Sequence, residues 1–126
     1  MAIKILLVED NQDNRDLMCF LLERNGYEVV TANNGRQALT VARQENPDVV
    51  LMDLSMPEMN GWDAAVAMKA DPALADIPLI AVTAHTLPGD RRKVLGAGFD
   101  NYISKPLNVN MFDHVVAQSL AKDKTD

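Results

Sequence analysis

In four places along this chain a group able to do oxygen or phosphate chemistry directly follows a short strand-like run. Glu9-Asp10 follows Ile5-Leu6-Leu7-Val8, and Asp53 follows Val49-Val50-Leu51-Met52. Thr83 follows Leu79-Ile80-Ala81-Val82, and Lys105 follows Tyr102-Ile103-Ser104. Gathered in one place, these would be three carboxylates, a hydroxyl and an ammonium. Three adjacent carboxylates repel and resist ionisation unless a cation neutralises them. An all-oxygen donor set suits Mg²⁺, which uses few protein carboxylates and keeps several waters; Mn²⁺ is the alternative. A hydroxyl and an ammonium beside such an ion make the site complementary to a phosphoryl group. The chain has no Gly-x-x-x-x-Gly-Lys loop to hold a nucleotide. A carboxylate can instead be the nucleophile and carry an aspartyl-phosphate. Asp53, at the end of the central run, is the candidate for that role.

These residues converge only if the elements before them lie side by side. Short apolar runs that end at turns read as strands buried on both faces, as in parallel sheets. Such runs are expected at Ile3–Val8, at Val49–Asp53 and at Leu79–Val82, with a less buried strand at Tyr27–Thr31 and a fifth at Asn101–Ser104. Between them come helical patterns. Asn11 or Asp13 can cap a first helix that ends at Gly26, with Leu17, Met18, Leu21 and Leu22 as its apolar stripe. Cys19 is expected opposite that stripe and Phe20 at its edge, both exposed. A second helix is expected over Arg36–Gln44, with Ala38, Leu39, Val41 and Ala42 inward. A third should run from Asn60-Gly61 to Ala70, and a fourth from near Pro88 or Gly89 to Gly96 or Gly98. A last is expected over Val109–Ala121. Asp71-Pro72 and Asp76-Ile77-Pro78 punctuate the connection after the third. Five alternations predict an α/β fold: a doubly wound, five-stranded parallel sheet with right-handed crossovers and helices on both faces. In such a sheet ligands bind at the carboxyl ends of the strands. All four chemical segments then share one edge. Residues 1–121 read as a single domain and 122–126 as a polar tail.

Each residue also has a plainer reading. A strand-end aspartate often caps a helix or turn, which Asp10 or Asp53 could do alone. Thr83 could be an ordinary strand residue, Lys105 a solvated loop lysine and Tyr102 a half-buried core residue with a wet hydroxyl. His85 could simply be exposed. Met52, Met56 and Met59 read as packing, and Trp62 as partly exposed helix surface. What favours the chemical reading is five such positions at the ends of four of the five strands.

Composition narrows the function classes. A net charge of −6 over 126 residues argues against a nucleic-acid surface. No apolar run approaches the roughly 20 residues that span a bilayer, and the start Met1-Ala2-Ile3-Lys4 shows no cleavage-site pattern. Cys19, the single cysteine, excludes an internal disulfide and fits a reducing compartment, so the expected location is the cytoplasm.

The acidic pair Glu9-Asp10, Asp53 with Met56-Pro57-Glu58-Met59-Asn60-Gly61, Thr83-Ala84, and Tyr102-Ile103-Ser104-Lys105-Pro106 come in order over Ile3–Leu120. In this the chain resembles the receiver domains of response regulators. Among receivers it is most similar to the stand-alone, cell-cycle type, which shares a Val-Glu-Asp-Asn start and a Tyr-Ile-Ser-Lys-Pro end. The resemblance implies the flavodoxin-like strand order 2-1-3-4-5. It implies Asp53 as phosphoacceptor, and Asp10, Asp53 and the backbone carbonyl of Ser55 as Mg²⁺ ligands, with Glu9 acting through metal-bound water. Lys105 would pair with Asp53 and then with the phosphoryl oxygens, Lys105-Pro106 would be a cis peptide, and Ala84 would be the small residue beside the phosphate. Thr83 would turn toward the phosphoryl group and Tyr102 would swing inward behind it. That swing would change the surface made by the helix after strand four, strand five and the last helix. Ser55 and His85 would flank attacking water and influence phosphoryl lifetime, readable as a changed dephosphorylation rate in Ser55→Asn or His85→Ala.

The function implied is a single-domain response regulator in two-component signalling. It would take phosphate from a sensor histidine kinase or histidine phosphotransfer protein and bind a downstream protein target, as a monomer or weak dimer. Phe20 is a candidate docking residue for the donor. No output domain is expected after the last helix, so the expected action is through that protein target. A signalling protein is expected rather than a metabolic enzyme. An Mg²⁺-dependent phosphohydrolase would typically carry an aspartate at position 55, where this chain has Ser55. A flavodoxin-like flavin carrier would want Ser, Thr and Gly where this chain has Glu9-Asp10-Asn11.

Overall fold

The computed structural model describes residues 3–54, 61–83, 95–96, 98–104 and 109–125; residues 61, 62, 104 and 121–125 are described in backbone alone. Five strands form one parallel sheet: β1 (Lys4–Val8), β2 (Glu28–Ala32), β3 (Val49–Asp53), β4 (Leu79–Thr83) and β5 (Asn101–Ser104). Their order is β2-β1-β3-β4-β5, as the resemblance implied. Among the described residues, helices with full bounds are α1 (Gln12–Arg24), α2 (Gly35–Glu45), α3 (Gly61–Ala70) and α4 (Val109–Thr125). The helix expected from near Pro88 or Gly89 lies, but for Leu95, Gly96 and Gly98, outside the described residues.

The near-continuous apolar strands are explained by what covers them. Successive residues of a strand point to opposite faces, and here both faces are packed. Leu6, Val8, Val50, Met52, Leu79 and Ala81 meet Ala38 and Ala42 of α2 and Ala64, Ala65 and Met68 of α3. Ile5, Leu7, Val49, Leu51, Ile80, Val82 and Ile103 meet Met18, Leu21 and Leu22 of α1 and Phe112, Val115, Val116 and Leu120 of α4. Beyond the partly exposed Lys4, the residues of β1, β3 and β4 therefore have no solvent face, whereas β2, at the sheet edge, exposes Glu28 and Thr31.

Helix ends follow local chemistry. Asn11 caps α1: its Oδ1 accepts from the Asn14 amide at 3.0 Å. Asn34 caps α2 in the same way, accepting from Gln37 at 2.9 Å. At the far end of α1, Gly26 adopts φ +87°. Its amide donates to Glu23 O at 3.0 Å, and that of Tyr27 donates to Leu22 O at 3.2 Å. This paired closure satisfies orphan carbonyls and needs a residue at ease in the left-handed region. Asn46 performs the same service after α2, at φ 50°, before Pro47 bars further helix.

Two expectations about α1 are corrected. Leu17, placed in the buried stripe, is 48 % exposed, and Cys19, placed opposite it, is half-buried and packs against the α1–α4 core. At about 100° per residue, the buried set Met18, Leu21 and Leu22 centres on a direction that Leu17 and Cys19 flank on opposite sides. Phe20 is the residue that points away. α4 also runs to Thr125 rather than ending at Ala121.

Candidate functional site

Parallel register fixes which strand ends are neighbours. Val8 pairs with Met52, Asp53 with Val82, and Thr83 with Ser104. The residue after Val8, Glu9, therefore stands beside Asp53 at the carboxyl edge, and Thr83 is one step beyond Asp53's own partner. The ladder persists past the strands: the Glu9 amide donates to Ala32 O at 3.1 Å and that of Leu54 to Val82 O at 3.2 Å. These bonds hold the exits of β1 and β3 in place before either loop begins.

Glu9, Asp10 and Asp53 converge: one carboxylate oxygen from each lies within 4.8 Å of the others. Asp10 is exposed, whereas Glu9 and Asp53 are buried at 0 % and 3 % exposure. Thr83 is buried at 1 % on the same edge. Because Asn11 caps α1, the plainer reading of Asp10 as helix cap does not hold. Glu9 Oε2 accepts from the Asn11 amide at 3.3 Å. Two largely buried carboxylates and a third at the mouth form a hard, all-oxygen donor set, the chemistry that Mg²⁺ takes. Burying charge in this way is costly without a compensating cation, so the residues fit the ion.

Tyr102 is half-buried against the α2–α3 core, in register with Ala81. The remaining expected site residues, Ser55, His85 and Lys105, lie outside the described residues, as do Ala84 and Pro106; Ser104 is in place beside Thr83. Reading the sequence missed Arg15 and Asn33. Nη1 of Arg15 donates to the Glu9 carbonyl at 2.9 Å and to Asn33 Oδ1 at 3.0 Å. Nothing in the spacing announces these contacts, because one acceptor is backbone and the other belongs to a different loop. Away from the edge, burial pushes the Cys19 thiol up, with Glu23 and Asp16 adding to it. A raised thiol is a poor nucleophile, and Cys19 has no part in the site.

A family model for the response regulator receiver domain matches residues 5–117. This chain belongs to that family. Similar curated relatives are the polar-differentiation response regulators DivK of Brucella anthropi and Brucella ovis, 39 % and 38 % identical over 120 residues. In both cases the match covers 95 % of this chain and 98 % of the relative. The expected likeness to the stand-alone type is thereby borne out. Among solved structures, chemotaxis response regulator CheY4 of Vibrio cholerae superposes with a TM-score of 0.89 at 28 % identity, covering 94 % of this chain and 99 % of that one. The receiver domain of sensor histidine kinase PA1611 from Pseudomonas aeruginosa PAO1 does so with a TM-score of 0.88 at 32 % identity. That match covers 96 % of this chain and 99 % of the other, whose structure has a magnesium ion coordinated in the active-site cleft. Among the described residues of this receiver domain, no helix is long and apolar enough to cross a membrane.

Proposed function

We propose that this receiver domain accepts a phosphoryl group on Asp53 from a phosphohistidine of a kinase or phosphotransfer protein, with Mg²⁺ bound, and thereby switches a surface that binds another protein. The observation that carries the reading is the convergence of Glu9, Asp10 and Asp53 within 4.8 Å at one sheet edge, with Thr83 beside them. In the transfer an Asp53 Oδ–P bond forms as the donor's N–P bond breaks, and the departing imidazole takes up a proton. Mg²⁺ would neutralise charge on the transferring oxygens; Asp10, Asp53 and the Ser55 carbonyl would hold it, with Glu9 acting through water. Lys105 would offset the remaining phosphoryl charge and the Thr83 hydroxyl would donate one hydrogen bond. Burial of Asp53 shields the resulting acyl phosphate from bulk water. Tyr102 lies on β5 two residues before Ser104, the register partner of Thr83, and would respond when Thr83 turns.

Incubation of the full chain with Mg²⁺ and a small acyl phosphate, followed by intact-mass measurement, tests this directly. Wild type should gain one phosphoryl group that is lost in base. It should gain none in EDTA, and Asp53→Asn should gain none under any condition. An equal gain by Asp53→Asn would refute the assignment.

The donor must approach the edge where α1 begins. Phe20 is 63 % exposed, and Leu17, one turn earlier, is 48 % exposed. Together they give α1 an apolar strip leading away from the acceptor. Phe20→Ala should slow transfer from the cognate phosphohistidine protein by about tenfold, the loss of one aromatic anchor, while small-molecule phosphorylation stays unchanged. Equal transfer rates for the two proteins would remove Phe20 from the donor interface.

A further inference from the structure

The acidic pair leaves β1 on a short turn, and Arg15 is built across that turn. The Glu9 amide is held by Ala32 O at 3.1 Å. Its side-chain Oε2 accepts from Asn11 N at 3.3 Å, and its carbonyl accepts from Arg15 Nη1 at 2.9 Å. The second hydrogen on Nη1 reaches Asn33 Oδ1 at 3.0 Å. Asn33 follows Ala32 directly, so the two links tie the exit of β1 to the exit of β2. Asn33 is itself fixed, since its amide donates to Gln37 Oε1 at 2.8 Å and Gln37 sits in the first turn of α2. Arg15 is anchored too: its own amide donates to Asn11 O at 2.9 Å. The Glu9 carbonyl and the Asp10 amide belong to one planar peptide. A donor that fixes the carbonyl therefore fixes the plane from which Asp10 emerges.

We infer that Arg15 is a positioning residue for the divalent-cation site: by holding the Glu9 carbonyl against Asn33 it sets the affinity with which the carboxylates of Glu9, Asp10 and Asp53 take the metal. The inference rests on the Mg²⁺ reading of that cluster, and its sign is informative. A guanidinium beside a cation site repels the cation, so charge alone says that removing Arg15 should tighten binding. Positioning says the reverse. Outer contacts that orient metal ligands commonly matter to affinity, so charge and positioning predict opposite signs and the measurement separates them.

The test is calorimetric titration of MgCl₂ into wild type, Arg15→Met and Asn33→Ala, well below each protein's unfolding midpoint. Arg15→Met should bind Mg²⁺ about three- to tenfold more weakly, the size of one net hydrogen bond. Asn33→Ala, which keeps the guanidinium but removes its second anchor, should be weakened in the same direction. Unchanged or tighter binding by a folded Arg15→Met overturns the inference, even where its metal-free unfolding midpoint has fallen, because a merely structural residue moves the midpoint alone. If Arg15→Met does not fold, Asn33→Ala decides, and wild-type affinity there overturns the inference. Failure of wild type itself to bind Mg²⁺ sinks the functional reading and the inference with it; binding by wild type and equally by both variants sinks the inference only.

Discussion

At the scale of single residues, the division of labour among adjacent polar groups is what makes a site. Asn11 takes the capping role that Asp10 could have filled, and this leaves the Asp10 carboxylate among the acids rather than at a helix amide. A comparable choice is made at Asp71, far from the edge. Its Oδ1 accepts from Ala73 N at 2.9 Å, and Oδ2 from Arg43 Nε at 3.0 Å. The Ala73 amide first, then the Arg43 guanidinium, hold the Asp71 carboxyl below its usual value of 3.8. A depressed folded-state pKa favours the ionised form, so its stabilisation is present above the unfolded pKa and fades as pH falls through the folded one. Asp71→Asn should therefore unfold at a lower temperature than wild type near neutrality, with the gap closing below about pH 3.8. Melting curves across that range check it, and a gap independent of pH would contradict it. Single residues were also where reading the sequence fell short. Leu17 and Cys19 flank the buried arc of α1 symmetrically, and only neighbouring elements decide which flank is covered. Arg15 was illegible because its partners are a carbonyl and a distant amide.

At the scale of elements, the strands were the most legible part of the chain. A strand covered on both faces must be apolar throughout, so β1, β3 and β4 announced themselves as unbroken runs ending in a polar group. Helix ends were legible wherever a cap has distinctive chemistry, as at Asn11 and Gly26. Glycine, however, plays two different parts here. At Gly26, φ is +87° and a Cβ would meet nothing within 4 Å, so only backbone conformation resists substitution. At Gly98, φ is +109° and a Cβ would stand 2.9 Å from Lys69 Cγ. That lysine is not at liberty to withdraw: its Nζ donates to Ala75 O at 3.1 Å and pairs with Asp100 at 3.5 Å. Gly26→Ala should cost about 1 kcal/mol, the strain of a left-handed alanine. Gly98→Ala should cost about 2–3 kcal/mol, since a steric clash adds to that strain. Urea unfolding of the pair decides it, and a Gly98→Ala no worse than Gly26→Ala would show that Lys69 yields freely.

At the scale of the whole molecule, function follows from strand order. The chain leaves β1, crosses by α1 to β2 on one side, then returns by α2 to β3 on the other. α1 packs on one face of the sheet and α2 on the opposite face. α3, which follows β3, packs on the same face as α2, so the helices that follow β1 and β3 lie on opposite faces; the crevice at such a switch in strand order is where doubly wound sheets bind ligands. Glu9-Asp10 and Asp53 are the residues at that crevice. Alternation of strands and helices in the sequence was enough to predict a parallel sheet with these groups on one edge. Strand order was not derivable that way, since hydrophobic period carries no information about which strands are neighbours; it came from family resemblance. On the proposed function the crevice presents Asp53, and no other acid, to a phosphoryl donor. The most direct measurement is reductive trapping: treat the Mg²⁺- and acyl-phosphate-reacted protein with borohydride, which converts an acyl phosphate to the corresponding alcohol, and locate the change by peptide mass mapping. Asp53 alone should become homoserine; trapping at Glu9, Asp10 or any other carboxylate, with Asp53 intact, would contradict the assignment.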